Sequence, residues 1–324
     1  MGHGYEFSKT TQKNFVCVSG PNIPCDQVNA HGVVPKVVFQ ETYHSSNSGA
    51  LNALLTRKFR EAALEVRRLI SLKQDHKIHI NGVMQTVFNI LCMCLGTPPI
   101  GAFNWSFYDA QHKHNTLSFD SPLHFYDRFK THFDETVCLV NDPRHAEHEL
   151  LTVQYLGNMI EGRPVRYLNV SMDVMRRAAA ESIKRKNAVW FGCDVGKEIL
   201  DTFMCIDVKQ YNLLLQTTFG MSKRDRMLSG ESQMTHAMVF SGFHADANGK
   251  IKRWQVENSW GPPKTGVSPN SYVMTDDWFT EHMFEIVVKK DCLDKETLDA
   301  WNTAQAPTVL PIWDPMGSLA KRRV

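Results

Sequence analysis

Apolar residues recur at helical spacing in the first half of the chain, and short apolar or alternating runs occupy the second half. One amphipathic helix is predicted after Ser48, because this residue is a suitable N-cap and leucines follow it at helical intervals. A second helix, rich in methionine, is predicted from about Gly82 to Leu95, where Gly96 and two prolines end it. Its apolar stripe predicts that this second helix is well buried.

Two later helices are indicated by the residues at which they begin. One opens at Ser121-Pro122, with serine as the cap and proline at the favoured first helical position. The other runs from about Met172 to Lys186 behind the cap Ser171. Together with the two earlier helices, they predict a mainly helical part of the chain at residues 32–186.

After Lys186 the pattern changes to that of β-strands. The predicted strands are residues 188–193, 236–244, 251–257, 272–274 and 284–288, with a short helix near Trp278. Asp246-Ala247-Asn248-Gly249 separates the second of these strands from the third and is a strong hairpin signal. A helical half followed by a strand-rich half predicts an α+β fold with a β-rich domain at residues 187–290.

The composition is that of a globular protein and argues against several classes of function. Of the 324 residues, 43% are hydrophobic and 22% are charged, which is enough apolar material for one large core or two smaller ones. A formal charge of +2 gives no support for nucleic acid as a partner. The first residues contain no signal-peptide core, and no apolar run approaches the length that spans a bilayer. We therefore expect a cytoplasmic protein without membrane contact.

The eight cysteines are scattered, and several lie within apolar runs such as residues 91–95. This distribution is typical of free thiols in a reducing compartment rather than of a disulfide framework. Cys92 and Cys94 lack the paired spacing of a zinc site. The sequence implies neither a metal nor an organic cofactor.

Two segments of the strand-rich half carry residues suited to catalysis: one strand begins near His236, and another ends before Asn258. The ends of neighbouring antiparallel strands can bring an imidazole and an amide within hydrogen-bond reach. In that arrangement the histidine takes the proton of a thiol, and the asparagine oxygen orients the ring through its other nitrogen. Trp260 could cover this hydrogen bond and exclude water. A strand histidine alone is more often a structural hydrogen bonder, and Asn258 alone also fits a turn.

Residues 254–261, W-x-V-x-N-S-W-G, together with His236-Ala237, resemble the signature of the papain-like right-hand domain. Other stretches are similar to the bleomycin hydrolase family of cysteine aminopeptidases: residues 32–36, 137–144, 189–197 and 310–317. The resemblance extends over about residues 32–320. It implies a papain-like cysteine peptidase fold with a helical insertion among the helices between Ser48 and Lys186.

The same resemblance implies an activity, an assembly and a set of site residues. Members of the family are cytosolic enzymes that remove N-terminal residues from peptides, hydrolyse bleomycin-type amides and form hexameric rings. By resemblance, His236 would be the general acid and base, and Asn258 would orient it. The family's C-terminal arm lies in the active-site cleft, and the matching residues here are Gly317, Ser318, Leu319 and Ala320.

Two features depart from the family pattern. No cysteine has the tryptophan and apolar helix that mark the family's nucleophile, and both Cys17 and Cys25 lack them. Residues 1–31 match nothing in the family, so we expect much of the N-terminal helical part of the fold to be missing. In the C-terminal segment, residues 291–324, the basic tail Lys321–Val324 extends past the usual arm.

These departures leave an alternative to a cysteine aminopeptidase. The chain would then be a non-catalytic, truncated or pseudo-peptidase subunit that acts by assembling with full-length partners. Nucleic-acid binding is a third and weaker alternative, because the balanced charge does not favour it.

Overall fold

The computed structural model describes residues 28–109, 111–129, 135–157, 163–200, 205–258 and 271–317. They fall into two compact units, the first spanning residues 30–129 and the second comprising residues 28–29 and 135–317. The helices and strands of the first unit are, in chain order, α1 (Tyr43–Ser46), α2 (Gly49–Ser71), α3 (Lys77–Leu95), β1 (Phe103–Tyr108), β2 (His114–Phe119) and α4 (Pro122–Arg128).

Local sequence explains where these helices begin and end. Helix α2 begins directly after Ser48, as predicted, although the Ser48 side chain makes no capping hydrogen bond. Helix α3 ends at Leu95, where Gly96 adopts a φ of 88° that glycine tolerates without strain. Helix α4 begins at Pro122, and the Ser121 Oγ accepts a hydrogen bond from the His124 N–H at 3.1 Å.

The prediction that α3 is well buried is wrong. Its buried residues are Val83 and Val87, whereas Met84 and Met93 are 52% and 78% exposed. Within the described residues, α3 packs against α1 and α2. The apolar residues of α3 occupy more of its surface than α1 and α2 cover. The spacing of apolar residues does not reveal how many neighbours a helix has.

The observed length of α3 also corrects a prediction made from the sequence. It begins at Lys77 rather than near Gly82, and so has 19 residues. By length and composition alone, α3 could cross a membrane, contrary to the prediction that no apolar run is long enough. It is the one helix in the described ranges that meets this criterion. A helix of a soluble protein can meet the same criterion, so a single such helix is weak evidence for a membrane span.

The second unit is built on one eleven-stranded sheet. Its elements are, in chain order, β3 (Thr136–Val140), β4 (Leu150–Val153), β5 (Tyr167–Asn169), α5 (Met172–Lys184), β6 (Val189–Cys193), β7 (Ile199–Leu200), β8 (Cys205–Ile206), α6 (Gln210–Leu215), α7 (Lys223–Ser229), β9 (His236–Ala245), β10 (Ile251–Glu257), β11 (Ser271–Thr275), α8 (Asp276–His282), β12 (Met283–Lys289), α9 (Lys295–Thr303) and β13 (Thr308–Leu310). The strand order is β13-β4-β5-β3-β12-β6-β9-β10-β11-β8-β7. Most neighbouring strands are antiparallel, and β13–β4, β3–β5 and β11–β8 are parallel.

The strands predicted after Lys186 are present, with bounds that differ by a residue or so. At the tip of the predicted hairpin, the Asp246 carboxylate accepts hydrogen bonds from the N–H groups of Asn248 and Lys250. Residues 32–186 are less helical than predicted, because β1 to β5 lie within them. Short apolar runs such as residues 136–140 fit a buried strand and a helical segment equally well in sequence. The fold class is nevertheless α+β, as predicted.

Apolar side chains pack on both faces of the large sheet. On one face Phe191 stacks on Phe240, with ring centroids 3.9 Å apart, among residues of α5 and α8. The other face holds a second cluster that includes Tyr167, Phe284 and Met316. These two layers fix β6, β9 and β12 in the middle of the sheet, and the candidate site is built from the ends of β6, β9 and β10.

Candidate active site

Strands β9 and β10 form the hairpin that carries the predicted site. Strand β9 begins at His236, and β10 ends at Glu257, so Asn258 directly follows its strand. The register pairs Glu257 with Val239, which sets the end of β10 beside the start of β9. The hairpin therefore brings His236 and Asn258 to the same end of the sheet.

His236 and Asn258 are joined by a hydrogen bond of 2.9 Å between Nε2 and Oδ1. An amide oxygen can only accept, so Nε2 carries the hydrogen and Nδ1 is the basic nitrogen of the ring. Asn258 is 7% exposed, so little water reaches its side of the bond. The asparagine thereby fixes both the tautomer and the orientation of the imidazole.

Burial lowers the pKa of His236 below its ordinary value, and the hydrogen bond to Asn258 opposes this shift. At neutral pH the imidazole is therefore in its neutral form, which can accept a proton. A thiolate beside the ring would act in the opposite direction, because it stabilises the imidazolium. The electrostatics suit a general base that becomes charged only when a thiol gives up its proton.

No thiol in the described part of the second unit suits the role of nucleophile. Cys193 lies opposite His236 in the β6–β9 register, but its side chain is fully buried. The pKa of Cys193 is raised, and burial is the largest cause of this shift. Burial also raises the pKa values of Cys138, Cys205 and Cys292. A nucleophilic cysteine needs a lowered pKa. The described residues also contain no cluster of three or more His, Cys, Asp or Glu suited to a metal ion.

Several residues named from the sequence lie outside the described residues: Cys17, Cys25, Trp260, Ser318, Leu319 and Ala320. Gly317, the first residue of the predicted arm, is described. Its N–H donates to the Asp314 carbonyl oxygen at 2.7 Å. A Cβ at Gly317 would lie 2.5 Å from the Ile312 oxygen, so this turn requires glycine.

The segment that leads to Gly317 contacts residues just before His236. The Met234 N–H donates to the Pro315 carbonyl oxygen at 3.0 Å, two residues before the histidine. Arg144 holds the same segment through Asp314, with Nη2 and Oδ1 2.8 Å apart. Sequence reasoning did not single out these contacts. Arg144, Asp314 and Pro315 do lie in stretches that resemble the family, and this was the available signal.

The fold and the histidine–asparagine pair at paired strand ends define the class of the protein as papain-like. Residues 22–317 match the sequence model of the Peptidase C1-like family, and the chain belongs to this family. The match includes residues 22–31, which the prediction from sequence had left unmatched.

The chain is similar to three characterised or solved proteins in particular. It is 37% identical to bleomycin hydrolase of Homo sapiens over an alignment of 310 residues, which covers 91% of this chain and 66% of that protein. It is 38% identical to aminopeptidase C of Listeria monocytogenes over 301 residues, covering 90% of this chain and 66% of that protein. The crystal structure of PepW from Lactobacillus rhamnosis HN001 superposes with a TM-score of 0.86 at 33% identity, covering 92% of this chain and 68% of PepW. The chain thus spans about two thirds of the length of the curated relatives it matches.

Proposed function

We propose that this chain carries the acid–base part of the active site of a cysteine-type aminopeptidase, which hydrolyses N-terminal peptide bonds and bleomycin-type amides. The observation that carries the proposal is the 2.9 Å hydrogen bond between His236 and Asn258, with the histidine at the start of a central strand. The names of the relatives, bleomycin hydrolase and aminopeptidase C, support the substrate class. No cofactor takes part.

In the proposed reaction, His236 Nδ1 takes the proton of a cysteine thiol, and the thiolate attacks the carbonyl carbon of the substrate. The imidazolium then gives that proton to the leaving amine, which leaves an acyl group on the sulfur. His236 next takes a proton from water, and the resulting hydroxide attacks the acyl carbon and displaces the thiolate. The imidazolium then returns its proton to the sulfur, which restores the thiol and the neutral ring. Throughout, Asn258 holds the ring through Nε2.

The thiol in this reaction comes from outside the described part of the second unit. Cys17 and Cys25 are two cysteines of this chain in that position. A thiol supplied by another polypeptide segment would serve equally well, provided that it reaches Nδ1 of His236. The described thiols of the second unit are unsuited, because burial raises their pKa.

The remaining predicted site residues are part of the same proposal. Trp260 would cover the His236–Asn258 hydrogen bond and exclude water from it. Residues Gly317 to Ala320 would form an arm in the cleft that limits it to substrates with a free amino terminus. The contact between Pro315 and Met234 supports this placement, because it starts the arm close to His236. We also propose a homo-hexamer in the cytoplasm, as the family resemblance implies, with residues 187–290 as the domain that carries histidine and asparagine.

The direct test is turnover of a fluorogenic aminoacyl amide by the 324-residue protein, combined with labelling by a thiol-directed epoxide. We expect turnover of the free amine substrate, little turnover of its N-acetylated form, and loss of activity on labelling. His236→Gln should abolish turnover, whereas the matched control His244→Gln, at the far end of β9, should not. Folded protein that shows neither turnover nor a selective adduct would overturn the proposal and indicate a non-catalytic subunit.

A further inference from the structure

The start of β9 pairs with β6 from its first residue. On the β6 side, the register begins with His236 opposite Cys193. On the β10 side, the described pairing reaches only to Val239. The residue proposed to move protons therefore lies at the first position of its strand, and strand ends open more easily than strand centres. Contacts outside the β-ladder therefore bear on its position.

The segment before His236 is held by a buried carboxylate at the end of β6. Asp194 is 1% exposed, and its Oδ2 accepts a hydrogen bond from the Ser232 Oγ at 3.0 Å. The backbone N–H of Gln233 also donates to this carboxylate. The Thr235 Oγ1 lies 3.4 Å from the other oxygen, Oδ1. One side chain thus contacts three of the residues that lead into the catalytic strand.

Thr235, the residue directly before His236, is fixed through both its backbone and its side chain. Its N–H donates to the Cys193 carbonyl oxygen at 2.9 Å, which extends the ladder by one step. Its Oγ1 accepts a hydrogen bond from the Val195 N–H at 3.1 Å. The hydroxyl hydrogen is directed at the Asp194 carboxylate or the Cys193 carbonyl oxygen, each 3.4 Å away. Three consecutive residues, 193–195, therefore hold this threonine.

The carboxylate is itself anchored to a second element. The Asp194 N–H donates to the His282 carbonyl oxygen at 3.1 Å, at the end of α8. Burial raises the pKa of Asp194 above its ordinary value, and the hydrogen bonds from Ser232 and Gln233, together with Lys197 and His282, oppose this rise. A buried carboxylate with several donors is costly to disturb, because each donor lost leaves a charged oxygen without compensation.

We propose that Asp194 and Thr235 are positioning residues for His236, and that their hydrogen bonds hold the imidazole in place for proton transfer. This inference rests on the proposed function of His236 as the base. A catalytic group has to be held within a fraction of an ångström of its working geometry. Asp194 and Thr235 provide that restraint at the start of β9.

The test compares Thr235→Val with Thr235→Ser in the full chain. Valine keeps the shape of threonine and lacks the hydroxyl, whereas serine keeps the hydroxyl. The measurement is the pKa of His236 from an NMR titration of the imidazole signals, assigned with His236→Gln. We expect valine to raise this pKa toward the ordinary value of about 6.5, because the ring is no longer held in its buried position. Serine should leave it unchanged.

Asp194→Asn is the second variant and should raise the pKa of His236 in the same direction as Thr235→Val. If Asp194→Asn does not fold, the comparison of Thr235→Val with Thr235→Ser decides the test. A His236 pKa that is identical in the wild type, Thr235→Val and every folded Asp194 variant would overturn the proposal, however much the melting temperature falls. If these residues had a purely structural role, the melting temperature would fall and the His236 pKa would stay the same.

The titration needs no turnover, so it separates this inference from the proposed function. A moved His236 pKa in a chain without peptidase activity would support the positioning role and contradict the proposed function. An unchanged His236 pKa in an active enzyme would contradict the positioning role and support the proposed function.

Discussion

Arg144 and Asp314 form an ion pair across 170 positions of sequence, with Nη2 of the arginine 2.8 Å from Oδ1 of the aspartate. The same guanidinium also contacts Asp142, which is fully buried. The Arg144 side chain is itself only 12% exposed. One arginine therefore neutralises two carboxylates and ties the loop after β3 to the segment that follows β13.

Replacement of Arg144 should destabilise the protein strongly. Arg144→Met keeps most of the apolar stem and leaves Asp142 and Asp314 without their counter-charge. Removing one partner of a buried ion pair typically costs about 3 kcal/mol of unfolding free energy. Urea unfolding followed by circular dichroism measures the loss.

The matched control for this experiment is Arg177→Met. Arg177 pairs with Asp294, but the two side chains are 64% and 45% exposed. An exposed pair of this kind contributes about 1 kcal/mol or less. Equal and small losses in both variants would show that the Arg144 cluster does not anchor the C-terminal segment.

Asn258 should control the pKa of His236 in a direction that depends on the replacement. Asn258→Leu keeps the volume and removes the oxygen that favours the charged ring, so the His236 pKa should fall further below its ordinary value. Asn258→Asp places a negative charge at hydrogen-bond distance, so the pKa should rise. An NMR titration of His236 measures both. Shifts of the same sign in the two variants would contradict the electrostatic role assigned to Asn258.

The buried thiols of the second unit should be unreactive in the folded protein. Cys138 and Cys193 are 1% and 0% exposed, and burial raises the pKa of each. Iodoacetamide at neutral pH should leave both unmodified, although it reacts with them in concentrated urea. The partly exposed Cys92 and Cys94 serve as internal controls and should react first. Peptide mapping by mass spectrometry gives the result, and rapid modification of Cys193 would make it a candidate nucleophile.

The hairpin with His236 and Asn258 could be predicted from sequence because its signals are local. The Asp246–Gly249 turn fixes which strands pair, and the alternating pattern fixes which side chains share a face. The positions of the two residues at paired strand ends then follow. The beginnings of α2 and α4 could be predicted for the same reason, since local residues mark where each helix starts.

Contacts between distant segments could not be predicted in this way. The exposed side of α3 depends on how many neighbours the helix has, which its own residues do not encode. The hydrogen bond between Ser232 and Asp194 joins a loop to a strand end 38 positions away. Such pairings follow from the packed structure, and a single sequence carries no local pattern for them.

Glu285 is a buried carboxylic acid in the middle of the sheet, on β12. It is 0% exposed, and burial raises its pKa to about 8. The titratable groups that face it are Cys138, whose Sγ lies 2.9 Å from Oε1, and Tyr167. In the unfolded chain a glutamate has a pKa of about 4.3. Between these two pKa values the folded state keeps a proton that the unfolded state has lost.

This difference makes stability fall as the pH rises from about 4.3 to about 8, by up to about 1.4 kcal/mol per pH unit from this residue alone. Glu285→Gln is neutral throughout, so its advantage over the wild type in unfolding free energy should grow across that window. Urea unfolding at several pH values measures the two curves. Glu257→Gln, an exposed position on β10, is the control and should give a curve parallel to that of the wild type. A Glu285→Gln curve that is also parallel would mean that Glu285 is ionised in the folded protein at neutral pH.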